Sequence, residues 1–116
     1  MNKLIIITLI APLFLLCSRT DEYYHKPGGP FYFESIITYQ GINPNREITK
    51  DKSIQLKDSG YAFYVGYFNN DGKPTLLEKY YKGNLFMKYE LFYENKKLNK
   101  TITTDDKGIQ KIDTIK

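Results

Sequence analysis

Apolar residues follow two rhythms along this chain. The first is a mostly apolar block, residues 4–16, which includes Thr8 and Pro12 and follows a single positive charge at Lys3. The second begins at residue 31, where apolar positions recur at every second residue and are filled by aromatic and β-branched side chains. That is the pattern of half-buried strands. It is clearest over residues 85–93, where Leu85, Met87, Tyr89, Leu91 and Tyr93 alternate with Phe86, Lys88, Glu90 and Phe92. Successive side chains of a strand point to opposite faces, so the first set is expected to face a core and most of the second to face water. The same rhythm predicts strands over residues 31–40, 61–69, 75–81, 98–104 and 109–115.

Turn chemistry fills the gaps. Asn70-Asp71-Gly72-Lys73 offers an Asp-Gly hairpin, and Lys82-Gly83-Asn84 supplies residues that tolerate positive φ. Glu94-Asn95-Lys96-Lys97 suits a four-residue loop. Asp105-Asp106-Lys107-Gly108 ends in the Gly that a bulged loop favours. Strands joined by such short loops are antiparallel neighbours, so residues 61–116 are expected to form a meander. Residues 41–60 are harder to read. Asn43-Pro44-Asn45 suggests a turn, Ile54 and Leu56 one short strand, and no segment of the mature chain shows the i, i+3, i+4, i+7 spacing of a helix. The expected fold is all-β, an antiparallel β-meander in a single sheet or small sandwich, after an N-terminal signal helix and a tether.

The later strands also repeat. LLEKYYKGNL, LFMKYELFYENKKL and LNKTITTDDKGI each combine an apolar entry, a mid-strand lysine (Lys79, Lys88, Lys100) and a turn of Asn, Asp, Gly and Lys. Residues 72–116 thereby resemble the hairpin repeats of MORN-like and YD-type bacterial proteins. In those families the repeat is mainly scaffold, so the resemblance implies no catalytic residue.

The apolar block is shorter than the roughly 20 residues a membrane-crossing helix needs, and a charged start before a short apolar stretch is the layout of a secretory signal. The block ends on Cys17, the sole cysteine. Phe14-Leu15-Leu16-Cys17-Ser18 resembles the lipobox of bacterial lipoproteins. Leu16 stands where most lipoboxes carry Gly, Ala or Ser, and looser boxes of this kind occur in spirochaetes. The resemblance implies lipidation of Cys17 and cleavage just before it. The chain then divides into a signal peptide (1–16), a lipidated cysteine with a flexible tether (17–30) and a β-rich domain (31–116). A lone cysteine cannot form an internal disulfide, and lipidation accounts for it. Acyl chains contribute about 0.8 kcal/mol per buried CH₂, so two or three of them anchor a protein stably. The expected location is the cell envelope, at the outer membrane if the host has one, with the lipid on Cys17 as the membrane partner. Uncleaved anchoring and ordinary secretion are the alternatives.

Charge adds little to this picture. Loss of Lys3 leaves 16 basic against 13 acidic residues, a net charge of +3. That balance, together with export, argues against a nucleic-acid partner. Lysines crowd the last third of the chain, mostly on alternating positions that read as solvated strand faces, and they leave open a preference for anionic lipid or glycan. Residues 18–30 carry mixed charge and Pro27-Gly28-Gly29-Pro30, which breaks regular structure. Within them His25, the only histidine, is expected to be a linker residue.

No catalytic constellation is legible. One histidine and one lipidated cysteine leave no Ser-His-Asp, Cys-His or zinc arrangement, no nucleotide fingerprint is present, and no cofactor is implied. Glu78 and Glu90 fall on neighbouring predicted strands, as paired carboxylates in glycoside hydrolysis must. Each adjoins a lysine on a face expected to be exposed. Asp105-Asp106 lacks the further oxygen ligands of a calcium site and reads as a turn. Two function classes remain. One is a non-enzymatic lipoprotein that binds an envelope protein or glycan through Tyr64, Phe68, Tyr80, Phe86 and Phe92, unless those rings are core. The other is a small envelope hydrolase, or an inhibitor of one.

Overall fold

In a computed structural model, residues 24–38 and 41–115 are described. They form one seven-stranded antiparallel sheet, β1 (Gly28–Ile37), β2 (Asn43–Ile48), β3 (Phe63–Phe68), β4 (Pro74–Tyr81), β5 (Asn84–Glu94), β6 (Lys97–Asp105) and β7 (Gln110–Thr114), with one helix, α1 (Lys50–Asp58). The spatial order is β2-β1-β3-β4-β5-β6-β7, so β3 to β7 are a meander. The all-β antiparallel expectation holds, in its single-sheet form. The signal segment, Cys17, the tether up to residue 23 and the last two residues of the first predicted strand lie outside the described residues.

The hairpin turns explain the meander locally. At the β3–β4 turn the Asn69 side chain accepts the amides of Asp71 and Lys73 at 2.9 and 3.0 Å, and Gly72 takes φ 78°. The β6–β7 turn repeats the device. Asp105 accepts the amides of Lys107 and Ile109, both at 2.9 Å, and Gly108 takes φ 83°. Side-chain oxygens that bond their own backbone in this way nucleate turns. Between these two, Lys82-Gly83 and Asn95-Lys96 form two-residue turns with both φ values positive, which match the twist of the flanking strands.

Residues 41–60 depart from expectation. Asn43-Pro44-Asn45 lies within β2, an edge strand, where proline's missing N–H leaves no ladder bond unmade. The segment with Ile54 and Leu56 is helical. β2 and β3 are both antiparallel to β1, so they run parallel to each other, and such a pair needs a crossover. α1 supplies it. Thr49 caps its start by accepting the Lys52 amide at 3.1 Å. Gly60 ends it with φ 80°, the Tyr61 amide donating to Leu56 and the Gly60 amide to Lys57, the paired bonds of a Schellman motif. Its apolar stripe is absent because only Ser53 is buried.

Paired residues share a face, so the registers define two. One carries Phe33, Gly66, Phe68, Leu77, Leu91 and Thr101, all buried. Gly66 leaves room there for packed side chains: a β-carbon would lie 3.0 Å from Phe33 and 3.1 Å from Leu77. The opposite face carries buried Phe63 and Val65. β2 also reaches β4 past the intervening β1 and β3. In a flat sheet, three spacings of roughly 4.8 Å would hold these strands about 14 Å apart. The sheet therefore coils strongly, and the face carrying Leu77 and Leu91 is concave.

Bulges adjust the predicted faces. Lys79 pairs with Met87 and Tyr80 with Leu85, which leaves Phe86 as the extra residue. Leu85, expected in the core, is 44% exposed as a result. Leu91 keeps its place at 4% exposure. Leu91→Ala should cost about 2–5 kcal/mol, whereas Lys88→Ala should change stability by no more than about 0.5 kcal/mol. Thermal denaturation of the two variants checks this, and equal melting temperatures would contradict the register.

Candidate functional site: a lysine- and tyrosine-lined cleft

The β3–β4 and β5–β6 turns lie at one end of the sheet, and the β1–β2 connection, which leaves β1 at the other end, borders the same space. Gly41, Ile42 and Asn43 lead into β2, Asp71 to Pro74 close the β3–β4 turn, and Tyr93 to Leu98 form the β5–β6 hairpin. Between them lies a half-open cavity of about 540 Å³, with Leu91 and Tyr24 also in its wall. Gly41 of the β1–β2 connection lies close to the far wall. At Gly41 a β-carbon would lie 3.4 Å from Leu98.

Lys73 organises this cleft. Its ammonium donates to the Lys96 carbonyl at 2.6 Å and lies over two rings, 5.9 Å from the centre of Tyr24 and 5.7 Å from that of Tyr93. A cation over an aromatic face is attracted by the ring quadrupole. Lys96 and Lys97 add exposed charge at the rim, and Asp71 opposes it. The Tyr93 hydroxyl donates to the Pro74 carbonyl at 2.6 Å, and burial pushes its phenol up to about 12. The arrangement offers ammonium donors, a phenol and aromatic faces to a ligand. Groups of these kinds can hydrogen-bond to acidic or hydroxylated molecules and stack on rings. Among the described residues no three His, Cys, Asp or Glu side chains gather as metal ligands would.

His25 fixes one wall. Expected to be a linker residue, it is instead docked on the concave face with its side chain 10% exposed. Its ring stacks on Phe68 at 4.3 Å and 15°, tilts against Phe31 at 4.4 Å, and meets Phe33 edge-on at 5.7 Å. Nε2 lies 2.6 Å from Glu47 Oε1 on β2 and Nδ1 2.9 Å from the Lys26 carbonyl. Its amide donates to the Gly72 carbonyl at 2.7 Å. A β-carbon on Gly72 would collide with the His25 carbonyl oxygen. His25 thus ties the N-terminal strap to β2 and to the β3–β4 turn, and it sets Tyr24 beside Lys73. Gly28 to Pro30, also assigned to the tether from sequence, already belong to β1.

The five aromatic residues singled out in the sequence do not form one patch. Phe68 is a core residue, 5% exposed, beneath His25. Tyr64 and Phe86 share its face, and Lys79 covers both rings at 5.8 and 5.3 Å. Tyr80 stacks on Phe63 on the opposite face. Phe92 lies on that face too, with the Lys100 ammonium 4.6 Å above it. Glu78 and Glu90 do share a face, but Lys88 stands directly across from Glu78 and 3.8 Å from Glu90. Burial first, and then Glu78, raise the Tyr80 phenol above its ordinary range. The sequence did not show that Tyr24, Lys73 and Tyr93 meet: they read separately as a tether residue, a turn residue and a core-facing strand position. The signal available was the convergence of three turns, which becomes visible only once the coil is known.

Two outcomes follow from this geometry. Gly72→Ala should cost about 1–2 kcal/mol for its left-handed backbone alone and should release the strap. Hydrogen exchange should then show the His25 amide losing protection along with a lower melting temperature. Retained protection would mean that the strap is held elsewhere. The second concerns pH. Unfolded Tyr93 ionises near its ordinary 10.0, but the folded chain holds the proton to about 12. Its contribution to stability is therefore complete below pH 10 and is lost as pH rises through 12. Melting temperatures of the wild type and Tyr93→Phe should diverge by a constant offset below pH 10 and converge above it.

Family models, curated proteins and solved structures yield no match to this chain.

Proposed function

We propose that the chain is a lipid-anchored lipoprotein of the cell envelope, with the lipid on Cys17, whose curled sheet works as a non-enzymatic binding module. The observation that carries the binding half is the cleft, where Lys73 stands between Tyr24 and Tyr93 with Lys96 and Lys97 on the rim. An ammonium has three donors, and one of those on Lys73 goes to Lys96. The cleft suits an envelope protein or glycan that presents an acidic group beside a ring-stacking surface. Covalent geometry supports a ligand close to the membrane. From Cys17 to Tyr24 the chain spans at most about 25 Å even when fully extended, so the cleft wall cannot be far from a lipid on Cys17.

The experiment uses full-length protein solubilised in detergent. Cys17→Ala should abolish incorporation of labelled fatty acid, and an unmodified Cys17 thiol in the native protein would defeat the anchoring half. Retention of an envelope component identified by mass spectrometry should fall about tenfold in Lys73→Gln, the scale of one charged hydrogen bond. It should be unchanged in the double variant Glu78→Gln, Glu90→Gln. Essential carboxylates with a dispensable Lys73 would instead identify a hydrolase.

A further inference from the structure

The two edges of the sheet are unlike each other. At one edge β2 carries Pro44 and a backbone kink at Arg46, φ 60°, and runs into α1. Proline and local irregularity are the usual means of blunting an edge. At the other edge, β7 is regular, free of proline and exposed at every residue from Gln110 to Thr114. Ile109, Ile112 and Ile115 stand 65%, 59% and 43% exposed along it.

The hydrogen bonds show which backbone groups this edge offers. The Ile115 amide donates to Asn99, and the Ile109 carbonyl accepts from Asp105. Hydrogen-bonded pairs alternate along an antiparallel ladder, so Lys111 and Asp113 also turn inward to β6. Gln110, Ile112 and Thr114 turn their N–H and C=O groups outward, away from every described strand.

We propose that β7 pairs with β7 of a second copy of this chain, antiparallel about a two-fold axis through Ile112, so that two sheets become one. In that register Ile112 opposes Ile112, Gln110 opposes Thr114, Lys111 opposes Asp113, and Ile109 opposes Ile115. Apolar meets apolar, polar meets polar, and each lysine meets an aspartate. The outward residues Gln110, Ile112 and Thr114 meet one another, as an antiparallel ladder requires. The neighbouring registers that keep this backbone match centre on residue 111 or 113. They would set Lys111 against Lys111 or Asp113 against Asp113, and like charges directly opposite are destabilising. A lone edge lysine would repel another copy. Asp113, two residues on, turns that repulsion into attraction in one register only. The interface is self-complementary, as a two-fold contact must be, and it is independent of the cleft.

Disulfide trapping in native membranes, with the full-length chain, tests the pairing. Opposed residues of a hydrogen-bonded pair have α-carbons about 5.5 Å apart, within the disulfide range. Ile112→Cys should therefore cross-link to itself under mild oxidation. Lys111→Cys should not, since its own counterpart lies two residues away, roughly 8 Å. Lys111→Cys co-expressed with Asp113→Cys should cross-link to each other. In the Ile112→Cys background, Lys111→Asp should lower trapping about tenfold, and adding Asp113→Lys should restore it. These residues are exposed, so the melting temperature should stay within a few degrees of wild type. No trapping of Ile112→Cys above the Cys17 background overturns the proposal. So does equal trapping of Lys111→Cys and Ile112→Cys, or failure of the double charge swap to restore what the single swap removed.

Discussion

A single sheet has two faces, and the described residues add to it only one nine-residue helix. Everything else follows from how the remaining surface is kept from water. The sheet answers in part by coiling, so that the β1–β2 connection closes over the end of β5 and β6 and the concave face becomes a core. Phe33, Leu77 and Leu91 are buried there without a second layer. The coil is permitted at Gly66, where any side chain would press on Phe33 and Leu77. It is helped by bulges in four of the strand pairings, each of which increases local twist.

Lysine stems cover much of the rest. Lys26 lies over Phe31, Lys79 over Tyr64 and Phe86, Lys82 over Tyr81, and Lys100 over Phe92. Long basic side chains bury their methylenes on apolar surface while their charge stays in water. The mid-strand lysines Lys79 and Lys100, which recur in the sequence repeat, thus have a packing role. An abundance of aromatic strand residues is consequently not a measure of binding surface in this protein. Each of the rings under Lys26, Lys79, Lys82 and Lys100 already has a partner.

The sequence carried the meander well because its strands are bounded by turns with strong local chemistry. Asn69 and Asp105 bond their own backbones, and the glycines at 72, 83 and 108 take positive φ. What was lost depends on tertiary context. Pro44 reads as a turn unless it is known to lie on an edge. α1 has caps at Thr49 and Gly60 but no apolar stripe, since its place is set by the need to cross from β2 to β3 and not by burial of a face. His25 follows a charged stretch and precedes Pro-Gly-Gly-Pro, and nothing local marks the Phe31, Phe33 and Phe68 rings that receive it. Phe68 itself alternated correctly, but alternation does not say which face has a cover. The cleft was illegible for the same reason: its residues come from segments that meet only through the coil.

One lysine departs from the covering pattern. Lys73 lies between two rings at the mouth of a cavity, and its ammonium is held by the carbonyl of a strained residue. Lys96 adopts φ 65°, next to Asn95 at 53°, in a turn whose second position favours glycine. A side chain in that left-handed conformation costs about 1–2 kcal/mol. Glycine there would leave the hairpin closed and the carbonyl in place, but it would remove a charge from the rim. The strained residue and the lysine it holds both border the same space, and Tyr24 reaches that space because His25 is anchored to Glu47 and Gly72. Strain of this kind persists where surrounding structure over-determines it and tends to gather at sites that act. Two features therefore set the cleft apart from the rest of the surface: ammonium and aromatic groups that border one cavity, and a lysine in a left-handed turn position that glycine would close at lower cost.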